Sequence, residues 1–474
     1  MSPANDFPWR DCLTAVGEAV EQGLHVIDRE GVTVVCNRKA AQLDGMEVQE
    51  VLGRKLLDVY PSLTAETSRL LTAARTGKPI PSSQQTYMNY KGRTVTVVNS
   101  TYPLLYKGEV AGAFELMTDV TPLAQATDRY VSLVQSQVVD HTGAGNPADS
   151  FYSFDDIITK SPKVLKAIDL ARRAASRDCP VFVYGETGTG KELIVQAIHR
   201  ASSRAGLLVE QNCAALPETL LESTLFGVVL GSFTGARDRP GLLELARNGT
   251  LHLDELSSMP SDLQSKLLRV MQDSYVRRVG DTKKRPTTFR VVASCNMDPF
   301  KAIESGELRR DLFYRLSTVL IELVPLRERD GDVCLLTGHF LDRINRRVAS
   351  RALDLSPEVW DLFQSHSWPG NVRELEHVLE HAAMAATGDV ITLDSLPGYL
   401  ARAHPRSLEE PAGPVAKAQA SLQAEIERFE RGLVEDTLES CGWNTSEAAR
   451  RLGVPRQTLQ YRMAKLGIRR GAGE

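Results

Sequence analysis

The stretch VFVYGETGTGKELIVQAIHR, residues 181–200, runs from an apolar segment through a glycine-rich turn into a segment with apolar residues at helical spacing. Strand, turn and helix in that order form the setting in which a P-loop works. Glycines at 185, 188 and 190 let the backbone N–H groups of the turn, through Glu186, Thr187 and Thr189, curl around phosphate oxygens. The helix start adds the positive end of a dipole, and Lys191 reaches the β and γ phosphates of ATP. Glu192 stands where such loops usually carry Ser or Thr. Magnesium is then held mainly by phosphate oxygens, water and another acid, with Thr189 a near neighbour.

That acid follows in GTLHLDEL (249–256), an apolar strand ending in two carboxylates. Asp254 is placed to orient Mg2+ and its waters, and Glu255, beside it, to polarise the attacking water as general base. A further strand, FRVVASCNMDP (289–299), ends in Asn296, suited to sense the γ-phosphate or align the water. Strands alternating with helices in this way predict a mostly parallel α/β sheet with its ligand at the carboxyl ends. The segment ELRRDLFYRLSTV (307–319) carries Arg309, Arg310 and Arg315, which read either as an ordinary basic helix or as positive charge for a phosphoryl-transfer transition state. In WPGNVRELEHVLEHA (368–382), Pro-Gly-Asn makes a turn and Arg373 falls in the first turn of a helix, able to reach back to phosphate.

The 474-residue chain is too long for one ordinary core, and its length points to about three domains. A formal net charge of −4 and 24% charged residues are those of a globular protein and say little about partners. The seven cysteines are scattered, without a CxxC pair, so neither a disulfide framework nor a zinc module is indicated, and a reducing cytoplasm is the expected home. The N-terminus lacks the basic and apolar regions of a signal peptide, and no apolar run is long enough for a membrane span. HTGAGNPADS (141–150) and ARAHPRSLEEPAGPVAKAQA (401–420) read as linkers.

Before the first linker, GLHVID and VTVVCN alternate as strands around a turn, RKAAQLDGM follows as a helix, and TVTVVNSTYPLLY and EVAGAFELMTDV complete a small antiparallel sheet with helices on one side. This α+β segment resembles a PAS sensor domain over about 15–125. Tyr87, Tyr90, Asn99 and Tyr102 are candidates to line a pocket, although a PAS-shaped dimerisation module without ligand fits the pattern too. TPLAQATDRYVSLVQSQVVD (121–140) has helical periodicity and is expected to pass a signal onward as a coiled-coil dimer helix. At the other end, TSEAARRLGV, with a hydroxyl N-cap at Thr445 or Ser446, a turn at Gly453 and the helix PRQTLQYRMAKLG form a helix-turn-helix. Its second helix exposes Arg456, Gln457, Thr458, Gln460, Tyr461 and Arg462, and from Trp443 onward seven basic residues face two acidic ones. That local excess of +5 is the footprint of double-stranded DNA binding.

GETGTGKE, NCAALPETLLESTLFG, GSFTGA, GTLHLDEL, LRRDLFYRL, PLRERDGD and WPGNVREL occur in the order and spacing of the AAA+ domain of sigma-54-dependent transcriptional activators. The resemblance covers about 155–390 and implies an ATPase ring, usually a hexamer, that binds upstream DNA and remodels sigma-54 RNA polymerase to open promoters. It implies trans-acting arginine fingers at Arg309 and Arg315, a second sensor at Arg373, and a restraint on Glu255 by Asn212. GSFTGA matches the family's sigma-54-gripping loop, Gly231, Ser232, Phe233, Thr234, Gly235 and Ala236, with Ser232 in place of Ala and VVL (228–230) where polar residues are usual. The C-terminal segment resembles the Fis-type domain of the same family. EVLGRKLLDVYPSL, ARTGKPI, QQTYMNYKGR and NSTYPL look like the sensor of arginine-utilisation regulators, which implies arginine or ornithine as effector. The implied architecture is multidomain: a PAS-like sensor over 12–125, a signalling helix and linker over 126–150, an AAA+ α/β subdomain over 151–325 and its helical lid over 326–400. A linker over 401–420 then leads to an all-α Fis-type helix-turn-helix over 421–474. Two other readings compete: a DNA-binding regulator that uses the AAA+ fold only as an oligomerisation switch, and a sensor-controlled ATPase chaperone.

Overall fold

Alternating burial builds the first sheet. Strands β1 (Gly23–Asp28), β2 (Thr33–Cys36), β3 (Ile80–Met88), β4 (Thr94–Tyr106) and β5 (Glu109–Asp119) pair antiparallel in the order β2-β1-β5-β4-β3. Helices α1 (Arg38–Asp44) and α2 (Arg69–Thr76) are each started by a side-chain cap, Asn37 and Ser68, and each stopped by a left-handed glycine, Gly45 and Gly77. Strand parity separates the residues expected at a pocket. Tyr87, Tyr90 and Asn99 line a cavity, whereas Tyr102, three positions from Asn99 and therefore on the opposite face, is 41% exposed and stacks on Phe114 outside it.

The computed structural model describes residues 15–140, 151–348 and 354–403, apart from 61, 62, 67, 234, 235 and 387, with scattered residues between 434 and 468. The chain divides into two compact units, 1–404 and 405–474. Sensor and ATPase share the first unit because helix α3 (Thr121–Asp140) joins the ATPase core. Its Val131 and Val134 are buried among Phe226, Leu242 and Leu245, and its Asp128 pairs with Arg239. The stripe read from sequence as a dimer seam is thus taken up by the chain's own ATPase.

The ATPase is a parallel sheet in the order β14-β6-β13-β10-β7, from strands β6 (Val181–Tyr184), β7 (Leu208–Asn212), β10 (Thr250–Asp254), β13 (Arg290–Cys295) and β14 (Val319–Glu322). Both faces are covered, so most residues of the central strands are buried. Phe182, Leu251, Leu253 and Ala293 point into one core, while Val181, Val183 and Val292 point into the other, under α4 (Pro162–Ala175) and α5 (Lys191–Arg200). The lid is a helical cluster of α9 (Asp332–Val348), α10 (Pro357–Ser365) and α11 (Asn371–Ala385) around the fully buried Trp368, whose indole N–H donates to Phe363 O at 2.8 Å. Between α6 (Glu218–Phe226) and β10 the chain leaves through β8 (Gly227–Val228) and returns through β9 (Arg239–Pro240), making a two-stranded stem. Beyond β10, α7 (Ser261–Asp273) leads to a second ribbon, β11 (Tyr275–Val276) with β12 (Arg285–Pro286), and α8 (Arg310–Leu316) precedes β14.

In the second unit, helix α12 (Thr445–Arg451) is capped by Asn444, whose side chain accepts from Ser446 N and Glu447 N. The cap is therefore one residue earlier than the hydroxyls of Thr445 and Ser446, because an Asn carbonyl reaches the same free N–H groups. Val434, Leu438, Ala448, Ala449, Leu459 and Ile468 form this unit's core.

The stem carries a stringent test. A Cβ on Gly227, where φ is +80°, would lie 2.6 Å from Gly241 N. Gly227→Ala is expected to cost about 2 kcal/mol, seen as a lower thermal midpoint, whereas Ala at the open Gly306 costs less because nothing lies within 4 Å.

Candidate active site

The carboxyl ends of neighbouring strands bring the sequence candidates together. The P-loop follows β6, Asn296 follows β13, Asp254 and Glu255 end β10, and Asn212 ends β7. In the loop, Gly185, Gly188 and Gly190 have φ of +152°, +78° and +98°, values that L side chains rarely adopt. Lys191 Nζ donates to Gly185 O at 2.7 Å and Glu186 O at 3.0 Å. Burial lowers the Lys191 pKa, and Asp254 pulls it back up. Thr189 is buried with its hydroxyl on Glu186 O at 2.7 Å. Glu192 is exposed and accepts from Gln196 Nε2 at 3.3 Å, so its carboxylate faces away along α5.

The lid closes directly on the loop. A Cβ at Gly188 would fall 2.2 Å from Gly370 O, and Val372 N donates to Gly188 O at 3.0 Å. Arg373, in the first turn of α11, has its own Cβ 3.2 Å from the same point and is exposed. Three residues given no role by the sequence reading hold this junction. Asn371, fully buried with φ of +53°, donates to Thr187 O at 3.0 Å and Glu186 Oε2 at 3.2 Å, and accepts from Leu326 N at 2.7 Å. Arg327 grips the Glu186 carboxylate with both terminal nitrogens, at 2.8 and 2.5 Å. Arg329, 5% exposed, donates to Thr189 O and Val324 O, each at 2.8 Å. The signal was available: Asn tolerates the left-handed conformation that a Pro-Gly-Asn turn requires.

Asp254 is the end of a polar row that crosses the sheet. Because side chains two apart share a face, Glu210 and Asn212 of β7, His252 and Asp254 of β10, and Ser294 of β13 all lie on the α5 side. His252 Nδ1 meets Glu210 Oε1 at 3.0 Å, and its Nε2 meets Ser294 Oγ at 2.9 Å. Ser294 Oγ donates to Asp254 Oδ1 at 2.6 Å, and Asn212 Nδ2 donates to Asp254 Oδ2 at 3.3 Å. The likeness implies that Asn212 restrains Glu255; in the structure its amide lies on Asp254, the residue paired with it in the β7–β10 register and the neighbour of Glu255. Glu255 itself sits in a left-handed turn with φ of +52°, a strained geometry for a non-glycine residue.

Arg309 is held by Asp311 at 3.0 and 2.7 Å, and Arg315 donates to Met271 O at 3.3 Å. Arg309 is half-buried and Arg315 exposed, and neither bonds the P-loop or Asp254 and Glu255 among the described residues. At the tip of the β8–β9 stem, Gly231, Ser232, Phe233 and Ala236 are described, while Thr234 and Gly235 lie outside the described residues. Ser232 is pressed against Gly280 of the second ribbon, where a Cβ would come within 2.5 Å, and its buried hydroxyl has no hydrogen-bond partner among the described residues. Leu230 beside it is 78% exposed. Arg456, Gln457, Thr458, Gln460, Tyr461 and Arg462 lie outside the described residues. No described helix is long and apolar enough to cross a membrane.

Four family models match along the chain: a PAS fold over 18–125, a sigma-54 interaction domain over 157–322, an AAA+ ATPase lid domain over 327–412 and the Fis family of bacterial regulatory proteins over 425–466. The chain is 41% identical to the transcriptional activator RocR of Bacillus subtilis, covering 94% of this chain and 95% of that one. It is 34% identical to the nitric oxide reductase transcription regulator NorR1 of Cupriavidus necator, with 90% of each covered. Among solved structures, NtrX of Brucella abortus in complex with ATP shares 29% identity over 66% of this chain and 69% of that one, with a TM-score of 0.49.

The polar row yields a direct expectation. Ser294→Ala removes the donor on Asp254 Oδ1, and ATP turnover should fall about tenfold, the worth of one hydrogen bond to a charged group. The nucleotide KM should stay within about twofold, since uniform binding is untouched; a steady-state ATPase titration measures both.

Proposed function

We propose, for a chain that belongs to the sigma-54-dependent transcriptional activators, that ATP hydrolysis at this site drives the GSFTGA loop against sigma-54 and so opens promoter DNA. The chain combines a sigma-54 interaction domain with a PAS fold and a Fis-type domain. The single observation that carries the coupling is the stem of the loop. Its β9 strand returns to the ATPase core through one short helix, Leu242–Leu245, which leads into β10, the strand that presents Asp254 and Glu255.

The P-loop N–H groups and Lys191 would hold the phosphates, with Arg373 approaching from the lid. Asp254, a carboxylate at the strand end beside Lys191, would hold Mg2+ as one hard oxygen ligand, with the nucleotide's phosphates and water supplying the rest. Bound there, the ion would neutralise charge building on the phosphates. Glu255 takes the proton of the attacking water as the water oxygen bonds the γ-phosphorus and the bond from that phosphorus to the bridging oxygen breaks, releasing ADP, while Asn296 and Asn212 orient the groups around it. Arg309, half-buried on Asp311, and Arg315, exposed, make no bond to the chain's own P-loop among the described residues. They are assigned to a neighbouring subunit's nucleotide in a ring, usually a hexamer in this family. Arg456, Gln457, Thr458, Gln460, Tyr461 and Arg462 are assigned to upstream DNA. The PAS fold is assigned to a small-molecule effector, with arginine or ornithine implied by the sensor's likeness.

Two measurements test this reading. Thr234→Ala should retain ATP hydrolysis yet lose open-complex formation on a sigma-54 promoter; equal promoter opening by both proteins would sink the loop assignment. Glu255→Gln and Arg315→Ala subunits should each be inactive alone, and mixing them should restore part of the ATPase activity. No recovery on mixing would mean that the arginine does not act across a subunit boundary.

A further inference from the structure

A second cavity, of about 340 Å³, opens at the end of the ATPase sheet where the strands begin. Pro180 precedes β6, Arg290 opens β13 and Thr318 precedes β14, and all three residues line it. The P-loop, Asp254, Glu255 and Asn296 lie at the other end of the same parallel strands. Three arginines meet at this cavity: Arg204 from the chain after α5, Arg290 from β13 and Arg315 from the last turn of α8. Asp178 is the one acid among the described lining residues.

The partners of these three guanidinium groups fall short of their charge. Arg290 is 3% exposed, and its terminal nitrogens donate to Ala174 O at 2.7 Å and Ala175 O at 3.4 Å, closing the last turn of α4. That structural role accounts for the terminal nitrogens and leaves Nε, which is buried with no hydrogen-bond partner among the described residues. Burial lowers the Arg290 pKa, with Arg204 adding to the effect and Asp178 opposing it. Arg204 engages both oxygens of Asp178, so the one acid present is already taken. Arg315 has a single bond, to Met271 O at 3.3 Å, among the described residues. Three cations against one anion leave an excess of two positive charges, and a buried guanidinium without a counter-ion is costly to hold. The donors also come from three separate elements. A carboxylate is matched by the fork of one arginine, whereas a tetrahedral phosphate group offers oxygens in several directions and can accept from all three.

We infer that this cavity binds the phosphate group of a small anion, with Arg290 Nε as its buried donor and Arg204 and Arg315 as its more exposed ones. The site is separate from the nucleotide's and does not depend on the arrangement of subunits in a ring.

The test uses the full-length chain with its P-loop filled by Mg2+ and a non-hydrolysable ATP analogue, so that added phosphate cannot bind there. Cys179, half-buried in the cavity lining, serves as reporter. Inorganic phosphate should slow alkylation of Cys179, read by mass spectrometry, and give a matching calorimetric isotherm, whereas acetate at the same ionic strength should do neither. Arg204→Gln should weaken binding about tenfold, the worth of one hydrogen bond to a charged group. Asp178→Asn removes the competing carboxylate and should tighten binding about threefold, a gain that misfolding cannot produce. Arg315 is left unaltered, because the proposed function already assigns it to the nucleotide. Glycerol 3-phosphate is the second probe: tighter binding than inorganic phosphate points to a phosphorylated metabolite, weaker binding to the free ion, and either result supports the site. Absence of protection by both probes, equal protection by acetate, or unchanged affinity in both variants would overturn the inference. Since binding is read directly, its failure alongside intact ATP-dependent promoter opening would leave the proposed function standing.

Discussion

The ATPase half depends on one close approach of backbone to backbone. Gly188 lies so near Gly370 that a single methyl group would occupy the lid's carbonyl oxygen, and the Val372 N–H closes the contact from the other side. Loop and lid therefore cannot move independently. Asn371, Arg327 and Arg329 add bonds from the lid side to Thr187, Glu186 and Thr189, all within the phosphate-binding turn. Any displacement of the loop as phosphates are bound or released is transmitted to α11 without a flexible intermediary, since packed interfaces of this kind shift between discrete arrangements.

Much of this was legible in the chain itself, for a definable reason. A P-loop, an acidic strand end and a glycine-bracketed loop each need particular residue types at short spacing, so VFVYGETGTGKELI and GTLHLDEL announce themselves. The polar row from Glu210 through His252 and Ser294 to Asp254 was not legible. Its members lie on three strands separated by some forty residues each, and only strand order and register bring them to one face. The position of Asn212 on Asp254 has the same origin. Tyr102 was misplaced for a simpler cause: aromatic character does not say which face of a strand a residue occupies. The helix 121–140 shows the limit of periodicity, which reveals that a face will be buried but not by what.

Departures from the family's usual loop also acquire a physical meaning. Val228 is buried in the stem and Ser232 is wedged against Gly280, whereas Leu230 projects into solvent. The apolar run before the loop thus grades from a buried anchor at Val228 through half-buried Val229 to an exposed side chain at Leu230. The Ser232 hydroxyl, buried without a partner among the described residues, is a cost that the packing of the two ribbons must offset.

Helix α3 meets the ATPase at the open edge of its sheet. There the Tyr130 hydroxyl donates to Glu210 O at 2.8 Å and accepts from Glu210 N at 3.3 Å, standing in for a missing neighbouring strand. An edge strand stripped of such a partner exposes both groups at once. Leaving is therefore not a graded loosening: the phenol keeps both bonds or forfeits both, while Val131 and Val134 lose their core contacts in the same motion. A sensor attached in this way behaves as a latch, with a threshold, and not as a dial.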